Sequence, residues 1–255
     1  MSDLAATVLV GVFGLAVGSF LNVCIYRLPL HQSLAWPSSH CPSCRAPLRW
    51  YHNVPVLSWL MLRGRCAMCR GRIPVKYPVV EIVTALVFLA TYRQFGPTPL
   101  LGARLLFASA MIVLAVTDLE HRILPNSITL PGIVVGVALS VFLPPGVVSA
   151  LVGVVSWPVA LYLVGAAFSY LLKRDALGFG DVKMLAMIGA FLGWRLAFVT
   201  VFLSSTVGAV FGLAGIALLG RDRYYEIPLG TFLAVAAIVV GVVGEVMLEW
   251  YLGFY

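Results

Sequence analysis

Gly178-Phe179-Gly180-Asp181-Val182-Lys183 opens an apolar run, Val182 to Trp194, and decides how the chain is read. Two glycines and a carboxylate stand where a hydrophobic helix begins. Far upstream a second carboxylate, Asp118, closes another apolar run, Leu100 to Thr117. Both acids lie at the ends of membrane-length or near-membrane-length segments, which places them at a bilayer surface rather than in its middle.

Composition supports that setting. Of 255 residues, 61% are hydrophobic and 11% charged, whereas a soluble domain carries about 25% charged residues. A crossing helix needs about 20 predominantly apolar residues. The segments that meet or approach this length are 4–26, 77–92, 100–117, 127–143, 147–172, 182–194, 196–219 and 228–251. The expected fold is therefore an all-α polytopic membrane protein with about eight transmembrane helices. The first run lacks a basic flank and a small-residue cleavage site, so it reads as a retained helix rather than a signal peptide. Within it, Gly11, Gly14 and Gly18 form a groove for close approach by another helix. Asn22, polar at membrane depth, calls for an interhelical hydrogen bond or, less simply, a substrate contact.

Residues 27–77 differ in kind, with eight Lys or Arg, no Asp or Glu, and frequent proline. They form an extramembrane insert. Cys41-Pro42-Ser43-Cys44 and Cys66-Ala67-Met68-Cys69 are separated by 21 residues. Each C-x-x-C turn can aim two thiolates at one tetrahedral Zn2+. Two disulfides are the plainer alternative, opposed by a reducing compartment if the insert is cytoplasmic. His40 and His52 lie nearby, but four cysteines already fill the coordination sphere. Glu81 sits one turn into the next span, where it either pairs with a base of the insert or serves a site. Arg104 can snorkel toward its near surface, and Glu245 has no role beyond pairing or snorkelling.

Charge orients these segments. With the N-terminus outside, 14 of the 17 basic residues fall on inner loops, and only Arg93, Arg104 and Arg195 fall on the outer side. That asymmetry follows the positive-inside rule. It sets the insert, Asp118 and Asp181 on the cytoplasmic face, and it explains the +7 net charge without nucleic acid as a partner. The domain reading is 1–26 first transmembrane helix, 27–77 zinc-binding insert, and 78–255 a transmembrane domain that holds both aspartates.

Two carboxylates sharing a site split their affinities for one proton. One can then take a proton from water while the other polarises a scissile carbonyl. By helix ends alone, Asp181 at an N-terminus tends to be ionised and Asp118 at a C-terminus protonated. Asp181 could instead be only an N-cap, and Asp118 only a solvated loop residue. Gly178 and Gly180, lacking side chains, let a substrate backbone lie close to Asp181. Glu120, Asp175, Asp222 and Glu226 read as solvated loop charges.

The motifs resemble one family in order. Gly18-Ser19-Phe20-Leu21-Asn22-Val23, both C-x-x-C pairs, Asn53 to Leu60, Tyr77-Pro78-Val79-Val80-Glu81, Asp118 with Leu124-Pro125-Asn126, Gly178 to Lys183 and Ile227-Pro228-Leu229-Gly230 all stand in the sequence. Together they resemble the prepilin peptidases, or type IV leader peptidases, membrane aspartic proteases of the G-x-G-D class. Pro74 and Leu124 depart from residues common in the family without removing a needed chemical group.

The resemblance implies cleavage of a basic leader after glycine, from type IV prepilins and type II secretion pseudopilins. It further implies N-methylation of the new terminus with S-adenosyl-L-methionine, at the inner membrane of a bacterium. Asp118 and Asp181 are then the catalytic pair, and Glu81 with the insert is a candidate for the cofactor site. Two alternatives stay open: an intramembrane aspartic protease without methyltransferase activity, and a non-enzymatic zinc-ribbon protein of membrane assembly or transport.

Overall fold

In a computed structural model of the chain, residues 3–36, 38–41, 43–173, 178–219 and 228–253 are described, and every named element among them is helical. Arg174, Asp175, Arg221, Asp222, Arg223 and Glu226, read above as loop charges, and Ile227 lie outside the described residues. The chain divides into two units, Met1–Pro97 and Thr98–Tyr255.

The first unit holds α1 (Asp3–Arg27), the short α2 (Leu57–Met61) and α3 (Lys76–Phe95). The glycine face of α1 is where α3 packs. A β-carbon at Gly14 would lie 2.7 Å from Ala85 Cα, and one at Gly18 would lie 2.6 Å from Glu81 Cα. Backbones this close exclude any side chain, so the groove expected from the sequence is filled by α3. Asn22 Nδ2 donates to the Tyr77 carbonyl at 3.0 Å in the first turn of α3, which is the interhelical bond its depth demanded.

The second unit holds α4 (Pro99–His121), α5 (Asn126–Ser140), α6 (Val147–Leu172), α7 (Phe179–Leu219) and α8 (Leu229–Leu252). α7 packs against α6, α8 and α5, and α4 packs against α8. Met111 and Leu114 of α4, Leu185 and Ile188 of α7, and Ala234 of α8 are fully buried in the shared core. α6 and α7 cross with the backbones of Gly153 and Gly189 in contact.

α7 is not one continuous helix. Gly193 has φ 77° and ψ 172°, which breaks it where the sequence placed the join between two spans. A β-carbon there would lie 2.7 Å from Pro145 Cβ. Trp157 Nε1 donates to the Trp194 carbonyl at 2.7 Å, so the break does not strand that acceptor. Among the described residues, six helices have the length and hydropathy to cross a bilayer, with α7 counted once and the 15-residue α5 left out. With α7 divided at Gly193 and α5 included, the expected eight apolar segments are present. Leu163, Phe202 and Val210 are more than half exposed, a poor surface for water but a suitable one for lipid.

One detail corrects the sequence reading. Arg104 does not reach outward to snorkel but is 5% exposed inside the second unit. Glu245 of α8 acts on it electrostatically, so pairing, one of the two roles open to Glu245 in the sequence, is the one the structure shows.

Candidate active site and metal centre

Asp118 lies in the last turn of α4, which ends at Arg122 in a left-handed cap whose N–H returns to the Asp118 carbonyl at 2.8 Å. The carboxylate is 6% exposed. Asp181 lies in the first turn of α7, its N–H donating to the Gly178 carbonyl at 3.1 Å, and its side chain is partly accessible. The two acids meet at Gly230, in the first turn of α8. A β-carbon on Gly230 would stand 2.9 Å from Asp118 Oδ2 and 3.0 Å from Asp181 Oδ1. Two carboxyl oxygens from residues far apart in the sequence thus border the same small volume.

The flanking glycines differ in what they do. Among the described residues, a β-carbon at Gly178 would touch only Asp181 Oδ2, at 3.2 Å, and Gly178 is exposed. One at Gly180 would press on Leu124, at 3.1 Å. Gly178 therefore sets no side chain of its own against the Asp181 carboxyl, while Gly180 lets the loop after α4 pack under the start of α7. Lys183 Nζ donates to Asn126 Oδ1 at 2.7 Å, which ties the first turn of α7 to the start of α5.

Thr231 was not singled out in the sequence. Its N–H donates to Asp118 Oδ2 at 2.6 Å, and its Oγ1 lies 2.9 Å from the same oxygen. The one available signal was Pro228-Leu229-Gly230, a proline that starts a helix and so presents unpaired N–H groups just beyond it. Helix ends had assigned the shared proton to Asp118 because α4 ends there. α8 brings its own N-terminus, with two donors, to the same carboxyl. Helix ends alone therefore no longer assign that proton.

In the first unit, the Sγ atoms of Cys41, Cys44, Cys66 and Cys69 all lie within 4.8 Å of one another. Cys41 and Cys69 are 3.9 Å apart. Tetrahedral Zn–S bonds of about 2.3 Å require sulfurs about 3.8 Å apart, so the set fits one ion. All four are free thiols, gathered at one point rather than joined in pairs.

The two turns are built alike. Cys41 N–H donates to the Ala46 carbonyl and Arg45 N–H to the Cys41 carbonyl; Cys66 N–H donates to Gly71 and Arg70 N–H to Cys66. Single antiparallel bridges, His40 with Pro47 and Arg65 with Arg72, close them. The N–H groups of Cys69 and Met68 bring the Cys66 thiol down to about 6. At Cys69 the Gly71 N–H pulls downward, but the Cys44 thiol, desolvation and the other two thiols outweigh it and push the group up to about 11. Crowded thiols resist a second negative charge until a cation joins them.

Beside this cluster is a half-open cavity of about 200 Å³, lined by Asn22, His52, Trp59, Tyr77 and Glu81, with the buried Cys41 and Cys66 in its wall. Glu81 is 8% exposed. Its Oε2 accepts the Val56 N–H at 2.7 Å, and the Ser19 hydroxyl also bonds it. Val56 holds φ 60°, ψ −50°, an unfavourable conformation for a β-branched residue. The partners of Glu81 here are a backbone N–H and a hydroxyl.

Two family models match. Residues 12–95 match the bacterial peptidase A24 N-terminal domain, and residues 105–213 match the type IV leader peptidase family. The chain is similar to prepilin leader peptidase/N-methyltransferases of Myxococcus xanthus (44% identical, over 82% of this chain and 63% of the relative), Aeromonas salmonicida (34%, over 96% and 93%) and Pseudomonas aeruginosa (33%, over 94% and 91%). No solved structure matches the chain.

Proposed function

The chain belongs to the type IV leader peptidase family, and from that membership we propose that it removes the leader from prepilins and related pseudopilins and then N-methylates the new terminus. The observation that carries the cleavage half is the meeting of Asp118 and Asp181 at Gly230. One carboxylate takes a proton from water as its oxygen attacks the scissile carbonyl. The other, protonated, donates to the carbonyl oxygen as the tetrahedral intermediate forms. Collapse breaks the C–N bond, and the departing amine takes a proton from the pair. Gly178, without a side chain, admits the substrate backbone, while Gly180 sets the height of Asp181 against Leu124.

The multi-pass fold keeps the pilin's apolar helix in lipid while its leader is cut. The basic inner loops put the active site on the cytoplasmic face, where a positively charged leader is drawn to the anionic leaflet.

For methyl transfer we assign the methyl donor to the cavity beside the cysteine cluster. S-adenosyl-L-methionine supplies an electrophilic methyl group on a sulfonium cation. The cavity fits its chemistry in donor set: the Glu81 carboxyl, the polar Asn22 and His52, and the aromatic faces of Trp59 and Tyr77 for a planar base. Zn2+ on the four cysteines holds one wall of that cavity in shape.

A single incubation tests the whole reading. The purified protein, in detergent or liposomes, is given a leader-bearing pilin and S-adenosyl-L-methionine, and mass spectrometry follows the product. Loss of the leader and gain of one methyl are expected; an uncut substrate, or a cut product without a methyl, rejects the corresponding half.

A further inference from the structure

We infer that Thr231 is a positioning residue for the cleavage reaction, whose hydroxyl holds the Asp118 carboxyl in one orientation in both of its protonation states. The inference rests on the assignment of Asp118 and Asp181 as the reacting pair. It adds a residue on a third helix that neither aspartate motif contains.

The geometry is specific. Thr231 is the third residue of α8, so its N–H is among the first four that a helix leaves unpaired. That N–H points at Asp118 Oδ2, at 2.6 Å. The hydroxyl has two acceptors within reach, Asp118 Oδ2 at 2.9 Å and the Ala115 carbonyl at 3.2 Å. A hydroxyl has one proton to give and two lone pairs with which to accept. When Asp118 is ionised, the Thr231 proton goes to Oδ2. When Oδ2 is protonated, its O–H donates to Thr231 Oγ1, and the Thr231 proton turns to the Ala115 carbonyl, one turn back along α4. In either state Oδ2, the Asp118 oxygen that meets Asp181 at Gly230, is held in one place.

A catalytic acid–base pair must exchange its proton on every turnover. A fixed donor would suit only one of the two states. A hydroxyl with a second acceptor serves both without moving a backbone atom. The rotation is that of a single C–O bond, and the β-branched side chain limits χ1, so the group stays in place while its proton moves.

Three variants test this: Thr231→Val, which keeps the shape and loses the hydroxyl; Thr231→Ser, which keeps the hydroxyl; and Asp118→Asn. Each is purified as full-length protein and assayed for leader cleavage. Methylation of a pre-cleaved pilin in the same sample checks that the fold survives. The expected result is a fall in kcat of about tenfold or more for Thr231→Val, with KM little changed, as for one lost hydrogen bond to a charged group. Thr231→Ser should stay within about threefold of wild type, and Asp118→Asn should be inactive. A Thr231→Val protein with wild-type kcat overturns the inference, and so does a Thr231→Ser protein as impaired as the valine variant, because packing would then be the cause. If Asp118→Asn cleaves normally, the aspartate pair itself falls and the role of Thr231 falls with it.

Discussion

Asp118 and Asp181 come together only where Gly230 has no side chain: the point a β-carbon would occupy lies within 3.0 Å of an oxygen of each. The meeting of the two carboxyls, the site proposed for cleavage, is therefore built by three helices, α4, α7 and α8, and not by the two aspartate motifs alone.

Gly230→Ala should be a severe lesion at a conservative position. The methyl group has nowhere to go except between the two carboxyls, so it forces them apart or rotates one away from substrate. Cleavage should fall by about 100-fold or more, the range seen when acid–base geometry is lost. Methylation of a pre-cleaved pilin should continue. Initial-rate assays of both activities in one preparation decide it, and near-normal cleavage would show that the pair tolerates a wider spacing than this.

Asp118→Asn and Asp181→Asn should each lower cleavage by roughly 10²–10⁴-fold, and the double variant should be hardly worse than either single one. Residues that act as one unit are non-additive in this way. The measurement is kcat for the three variants on one prepilin. Independent, additive losses would mean that the two acids serve different steps.

Removal of metal should separate the two activities. Cys41→Ser or Cys66→Ser takes away a buried thiol that also walls the cavity at Glu81. One zinc per chain is expected in wild type by plasma mass spectrometry, and well under one in the variants. Methyl transfer should fall with the metal, while the aspartate pair, built wholly within 98–255, keeps its cleavage activity. A variant that loses metal but methylates normally would detach the cluster from the methyl-donor site.

Glu81→Gln keeps the shape of the side chain and an oxygen to accept the Val56 N–H, but removes the charge. We expect methylation to lose affinity for S-adenosyl-L-methionine by about tenfold, as for one charge-assisted contact, with prepilin cleavage unchanged. Cofactor titration of the methylation rate reads the effect. An unchanged KM for the cofactor would return Glu81 to a purely structural role beside Val56.

Gly18→Leu should destabilise the first unit directly. Its side chain would drive into the backbone of Glu81, which already stands 2.6 Å from a β-carbon at that position. Overpacking of this kind costs about 1–3 kcal/mol or more, visible as a lower Tm in detergent. A variant as stable as wild type would mean that α1 and α3 can separate freely.

Much of this was legible in the chain itself. Hydropathy marked the helices and even the interruption in α7, because a bilayer sets segment length and a broken apolar run cannot hide in it. The C-x-x-C spacing announced a four-thiolate site, since each turn brings two sulfurs to one side whatever the rest of the fold does. The aspartates stood out because a carboxylate at the edge of an apolar helix is costly without a purpose. What the linear order does not contain is which helix end faces which. Gly230 and Thr231 look like an ordinary helix start until α8 is laid against α4, and Arg104 and Glu245 look like two strays until the same packing brings their charges together. Periodicity and length are properties of one segment, readable one residue after another. The field at Asp118 is a property of three segments at once, and only their packing in space decides it.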